Sequence, residues 1–215
     1  MLSESEPGLI LHPGELDALR RRSEASHARF YQALVGDLEG RLGEEPPGDL
    51  WSLEEPDYSN LLEVCFSLVV NCGIAYHVGG DGRWRGFAER WLGRWVEVGG
   101  ASSEQGMGSY LVAFHVMALA YGVDLFSGVL PEDFVGRVVA VLTEETGMMV
   151  EGMETGESEW SRRYLYHDCW VPVFGIGIGC LALLPYEPRA EAWRVVSGEG
   201  KVYPFTGAGT VCIED

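Results

Sequence analysis

The sequence predicts an all-α protein built from antiparallel helical hairpins that form an incomplete (α/α)n toroid. Three features carry that expectation. Apolar residues recur three or four positions apart along most of the chain. Segments that are apolar nearly all round alternate, three times over, with segments that keep one polar face. Turns rich in glycine and proline separate them. Self-similarity at roughly 45 to 60 residues suits helix-pair repeats, in which inner helices touch neighbours on both sides and outer helices keep a wet face.

The first element is a helix from about Gly14 to Leu42. His12-Pro13-Gly14-Glu15 opens it, with proline near the first turn, and Leu16, Leu19, Phe30, Leu34, Leu38 and Leu42 form its apolar stripe. GEEPPGDLWSLEEP (Gly43 to Pro56) breaks the pattern. A largely buried helix follows from about Tyr58 to Val78, with Leu61, Leu62, Cys65, Leu68, Val69, Cys72 and Tyr76 at helical spacing. The turn Gly79-Gly80-Asp81-Gly82 leads to an amphipathic helix from Arg83 to Val98. Its apolar face is Trp84, Phe87, Trp91 and Trp95, and its polar face holds Arg85, Glu89 and Arg90. Because no strand precedes that turn and no Lys-Ser/Thr follows, it is not a phosphate loop.

The second pair is an apolar helix from Gly108 to Phe126 and an amphipathic one from about Pro131 to Met153. Glu144 to Glu159 reads as a loosening acidic stretch with six acidic residues. The third apolar helix spans about Trp160 to Leu184, with a break expected near Pro172. A β alternative for Gly175 to Leu184 ranks lower, because no partner strands are evident. Gly175, Gly177 and Gly179 each weaken a helix by about 1 kcal/mol relative to alanine, which close helix packing would justify. After the turn Pro185-Tyr186-Glu187-Pro188, another outer helix begins at Arg189 and runs to Val196. Residues 1–196 thus form one helical domain, and residues 197–215 form a Gly-rich tail without periodicity.

Composition bounds the function. A formal charge of -18, with one lysine (Lys201), argues against a nucleic-acid partner, since phosphate binding needs clustered cations. No leader and no run long enough to span a membrane are visible, so the expectation is a soluble, cytoplasmic protein without a membrane partner. The five cysteines are Cys65, Cys72, Cys169, Cys180 and Cys212, and they form no C-x-x-C pair. Neither a zinc ribbon nor a disulfide framework is expected. No metal and no cofactor is expected, and the acidic residues Glu151, Glu154, Glu157 and Glu159 read as solvated.

Two histidines stand out. His167 lies among Tyr164, Tyr166, Asp168 and Trp170, the densest polar-aromatic cluster in the chain. It reads either as an acid-base group or as part of a helix cap. His115 sits on an apolar helix with Tyr110 five residues earlier. It reads either as a hydrogen-bonded core residue or as a group facing a central cleft. His77 reads as a turn residue, and His12 and His27 read as solvated.

Four segments in order resemble the N-terminal helical domain of the heparinase II/III-like polysaccharide lyases. They are LILHPGELDALRRR, FSLVVNCGIAYHVGGDGRWRGFAERWLGRW, YLVAFHVMALAYGVDLFSGVLPEDFVGRVVAVL and WSRRYLYHDCWVPVFGIGIGCLALL. The likeness covers roughly residues 8–196. It implies a toroid that binds or cleaves uronate-containing polysaccharide by β-elimination. A base takes the proton next to the carboxylate, and a tyrosine or histidine protonates the leaving oxygen. On that resemblance, His167, Tyr166 and Tyr164 are the catalytic candidates. Trp170 would stack on sugar, and Arg162, Arg163, His115 and Tyr110 would bind substrate. Where the family has an Asn-His-containing stretch, this chain reads Tyr166-His167-Asp168-Cys169. Full-length members add a C-terminal β-sandwich, so the resemblance implies a truncated relative. The alternative expectation is a non-catalytic scaffold, with a homo-oligomer or a partner chain covering the inner helices.

Overall fold

A computed structural model describes residues 8–46, 57–104, 109–155 and 167–194. Among them there are eight α-helices and no strand. After a single 3-10 turn at Pro13–Glu15 come α1 (Leu16–Glu24), α2 (Ala28–Arg41), α3 (Asp57–Gly79) and α4 (Gly82–Glu104). They are followed by α5 (Ser109–Phe126), α6 (Glu132–Thr155), α7 (His167–Leu183) and α8 (Arg189–Arg194).

The hairpins stack in two layers. In one layer α5 lies between α3 and α7; in the other α4 packs on α6. Glycines at the crossings give the register. A Cβ at Gly73 would lie 2.5 Å from Leu125, and one at Gly175 would lie 2.9 Å from the Cβ of Ala113. Late residues of α3 therefore meet late residues of α5, and Gly175 and Gly179 of α7 meet Ala113 and Val116 of α5 in the same order, so these three helices run parallel. In the other layer Gly93 faces Phe134 and Gly99 faces Val141, which makes α4 and α6 parallel too. Between the layers Gly122 faces Leu92, so α4 and α5 run antiparallel. Trp193 of α8 lies against Gly147 of α6, and α8 also packs on α7.

Burial follows the two expected patterns. Val112, Ala113, Val116, Ala118, Leu119, Ala120 and Val123 are buried on several sides of α5. Helix α4 buries the single stripe Trp84, Phe87, Trp91 and Trp95, while Arg85 and Arg90 stay exposed. Cys72 and Cys180 are buried thiols within this core. Burial pushes the Cys72 thiol up to about 12, so little of the reactive thiolate exists at neutral pH. Cys72 is therefore expected to resist a thiol reagent in the folded protein and to label fully in denaturant. Mass spectrometry of the labelled peptide reads the result, and rapid native labelling would contradict it.

Two hairpin turns share one device. In Gly80-Asp81, Gly80 takes φ 74°, a conformation that glycine adopts without strain. Asp81 then accepts from the Arg83 amide at 2.9 Å and from the Arg83 guanidinium at 2.8 Å. In the last turn Glu187 accepts from the Arg189 amide at 2.9 Å and pairs with its guanidinium at 2.9 Å. Each carboxylate thus satisfies a donor at a helix start. The Arg189 guanidinium holds the Glu187 carboxyl down at about 2, with the Arg189 amide adding to the effect. Both arginines also lie over the next tryptophan, Arg83 over Trp84 at 5.1 Å and Arg189 over Trp193 at 4.9 Å. Both turns are thus closed by an acid-x-Arg cap.

The first described residues are tied down at the far end of α5. The Gly8 and Leu9 amides donate to the Asp124 carboxylate at 2.8 and 3.1 Å, and Leu11 is buried. Burial raises the Asp124 carboxyl above its ordinary value, against the lowering effect of those amides.

The structure corrects four expectations. The first helix is two helices, broken at Ala25 to His27, where the amides of Ala25 and His27 both reach the Arg22 carbonyl. The break resets the helical phase. Phe30, expected in the apolar stripe, is 59% exposed beneath the Arg29 guanidinium. Tyr31 faces α3 instead and donates to the Ala75 carbonyl at 3.2 Å, while Leu38 is fully buried. Second, α7 continues through Pro172, which removes only one backbone bond close to the helix start. The β alternative for residues 175–184 fails for the same reason: residues 175–183 are helical. Third, the acidic stretch is helical as far as Thr155. Fourth, His77 lies in α3, where its Nε2 donates to the Leu125 carbonyl at 2.6 Å. The tail at 197–215 lies outside the described residues.

Candidate functional site

Parallel α3, α5 and α7 bring their first residues to one end of the layer. Tyr110 is the second residue of α5, and His167 and Trp170 are the first and fourth residues of α7. Gly175, eight residues into α7, faces Ala113, four residues into α5. Helix α7 therefore starts about one turn, or ~6 Å, beyond the start of α5. Tyr164, Tyr166, Arg162 and Arg163 lie outside the described residues.

Five residues further into α5, the surroundings are buried. His115 Nδ1 lies 2.5 Å from Glu145 Oε2 of α6, and Nε2 lies 3.1 Å from the Trp95 carbonyl oxygen of α4. The two side chains are 3% and 1% exposed. The Trp95 ring packs on the imidazole with centroids 5.5 Å apart. Gly99 makes room for the pair: a Cβ there would lie 2.3 Å from Val141 Cγ1 and 3.2 Å from both Glu145 Oε1 and His115 Cε1. Next to Glu145, the Thr146 hydroxyl is buried without a hydrogen-bond partner among the described residues, as are the Trp91 and Trp95 indole nitrogens. A buried hydroxyl or indole N–H left in this way opposes folding.

His115 is thus held in the hydrogen-bonded core arrangement that its apolar helix suggested. Glu145 was missed. Reading residues 144–159 as a loosening acidic stretch hid a usable signal: Val138, Leu142, Glu145 and Met149 are spaced i, i+4, i+7 and i+11, so Glu145 lies on the buried stripe of α6. An acid on an apolar stripe requires a buried partner, and His115 was the available one.

Among the described residues, no group of three or more His, Cys, Asp or Glu is placed to hold a metal ion. No helix there is long and apolar enough to cross a membrane. Comparison with protein-family models, with curated proteins and with solved structures finds no match for this chain.

Proposed function

We propose that this chain is a carbohydrate-active helical domain that takes a uronate-containing polysaccharide where α5 and α7 begin. One observation supports the reading: parallel α5 and α7 put Tyr110, His167 and Trp170 at the same end of one layer. A site assembled from starts of successive parallel helices suits an extended chain of sugars. The reading assigns proton abstraction or donation to His167 and the tyrosines Tyr164 and Tyr166. Trp170 would supply an apolar face for a sugar ring, and Arg162 and Arg163 the charge for a carboxylate. His115, buried against Glu145, is left out of sugar contact.

The test is a panel of alginate, heparinoid and chondroitin substrates followed by the absorbance of unsaturated uronates, with binding measured in parallel by calorimetry. His167→Ala is expected to abolish cleavage by at least about 100-fold, the scale of general acid-base catalysis, with an unchanged helical circular dichroism spectrum. Absence of both binding and cleavage across the panel would overturn the reading.

Exposed apolar side chains favour a second reading, a scaffold completed by a partner chain or a second copy. Phe174 of α7 is 52% exposed, and Leu184 just beyond it is 39% exposed. Apolar surface of this kind marks interaction sites when it is contiguous. Light scattering that returns a monomer mass at all concentrations would exclude the homo-oligomer.

A further inference from the structure

We infer that the corner between α1 and α2 is a docking surface for a partner protein, which it takes by a short peptide segment carrying carboxylates beside an apolar side chain. Two observations meet there. Residues 20–30, RRRSEASHARF, hold four arginines and one acid in a chain whose formal charge is -18. The same stretch ends in Phe30, at 59% the most exposed large apolar side chain among the described residues.

The helix break brings these groups together. The His27 amide donates to the Arg22 carbonyl at 2.8 Å, and the Phe30 amide donates to the His27 carbonyl at 3.0 Å. The last turn of α1 therefore abuts the first turn of α2. Arg20 serves the fold: it pairs with Asp17 at 3.1 Å and donates to the His77 carbonyl at 2.9 Å. Arg21, Arg22 and Arg29 are exposed and form no salt bridge among the described residues. Arg21 and Arg22 lie in the last turn of α1, where a cation suits the helix dipole. Arg29 lies in the first turn of α2, which has no acid, and a cation there opposes the dipole. Helix stability thus accounts neither for Arg29 nor for the exposure of Phe30. The two side chains are instead arranged on each other. The Arg29 guanidinium lies over the Phe30 ring at 4.6 Å, and the His27 ring packs 6.2 Å from it. Resting on the ring orients the guanidinium and leaves its N–H groups for a carboxylate.

Charge selects the occupant. A long polyanion such as a nucleic acid, or an anionic membrane surface, extends beyond the corner and meets the acidic remainder of the chain. A short segment with a few carboxylates reaches the arginines without that repulsion. Because Arg29 covers one face of Phe30, the ring offers less to a stacked sugar than to an apolar side chain beside it. The corner is also separate from the proposed sugar site. His77, which Arg20 reaches, lies near the end of α3, whereas the sugar site lies where the parallel α5 and α7 begin.

The test titrates the full chain into a short labelled peptide of glutamate, serine and leucine and follows fluorescence anisotropy. A second peptide carries glutamine in place of each glutamate. The acidic peptide is expected to bind saturably, at least about tenfold more tightly than the glutamine peptide, and to weaken as salt is added. Arg29→Ala and Phe30→Ala are each expected to weaken it by up to about fivefold, and Arg21→Ala, Arg22→Ala and Arg29→Ala together by more than about tenfold. All four side chains are exposed, so the circular dichroism spectrum is expected to stay unchanged. Arg137→Ala is the control: Arg137 is exposed on α6 and lies over the Phe134 ring at 5.3 Å, and its loss is expected to leave binding as it was. No saturable binding of the acidic peptide, equal affinity for the two peptides, or an equal loss in Arg137→Ala would overturn the inference. Displacement of the peptide by an alginate oligomer at equal or lower concentration would also overturn it, in favour of a sugar surface at this corner. His167→Ala, at the other end of the layer, is expected to leave peptide binding unchanged, which keeps this result distinct from the test of the sugar site.

Discussion

Glu145→Ala is expected to destabilise the protein by about 2–5 kcal/mol, the combined cost of removing a buried hydrogen-bond partner and opening a cavity. Two losses combine in that figure. His115 keeps its place between α4 and α6 but loses the acceptor 2.5 Å from Nδ1. A cavity also opens where a side chain only 1% exposed had been. Glu145→Gln keeps the volume and supplies a donor, so it is expected to cost only about 1 kcal/mol, the scale of one neutral hydrogen bond. Urea unfolding followed by circular dichroism gives both values. Equal losses in the two variants would show that the carboxyl group itself, and not the volume it fills, is what α5 and α6 require at this position.

Gly175→Ala is expected to destabilise by about 1–3 kcal/mol, the range for overpacking a tight core. Helix propensity alone predicts the opposite, a gain of about 1 kcal/mol. The contact decides between them. The added methyl would sit 2.9 Å from Ala113 Cβ, 3.0 Å from its Cα and 3.1 Å from its carbonyl oxygen. Two of those atoms are backbone, so relief requires moving α7 away from α5 along its length. Gly136→Ala is the control. Gly136 lies exposed in α6 with nothing within 4 Å of a built Cβ, and the change there is expected to stabilise by up to about 1 kcal/mol. Opposite signs at the two positions would confirm that close helix approach selects glycine in α7. A gain at both would refute it.

The helices themselves were legible because each pattern has one physical cause. Trp84, Phe87, Trp91 and Trp95 recur at i, i+3, i+7 and i+11 and are all buried. Helix α5 reads as apolar nearly all round because it lies between α3 and α7 with α4 and α6 behind. The break at Ala25 was not legible, since leucines on either side of it keep a plausible helical spacing. Only contact with α3 shows that Tyr31, and not Phe30, lies on the inner side. Pro172 misled in the opposite direction, because the backbone bond it removes inside α7 does not end a helix that packs along α5.

The candidate site divides along the same line. Tyr110, His167 and Trp170 were marked by residue type alone, and the order of hairpins places the starts of their helices at one end of a layer. The partnership of His115 and Glu145 depends on a different kind of information. Thirty positions separate them in the chain. No local spacing relates two residues on different helices, so the pair exists only once α5 and α6 dock in one register. Sequence by itself determined the all-helical class, the alternation of buried and half-exposed helices and most of their limits, because these follow from side-chain periodicity within a single segment. Tertiary structure alone decided the parallel registry of α3, α5 and α7, the need for glycine at Gly175 and the His115–Glu145 contact beneath Trp95. Each of these is a distance between segments, fixed by how closely two surfaces pack.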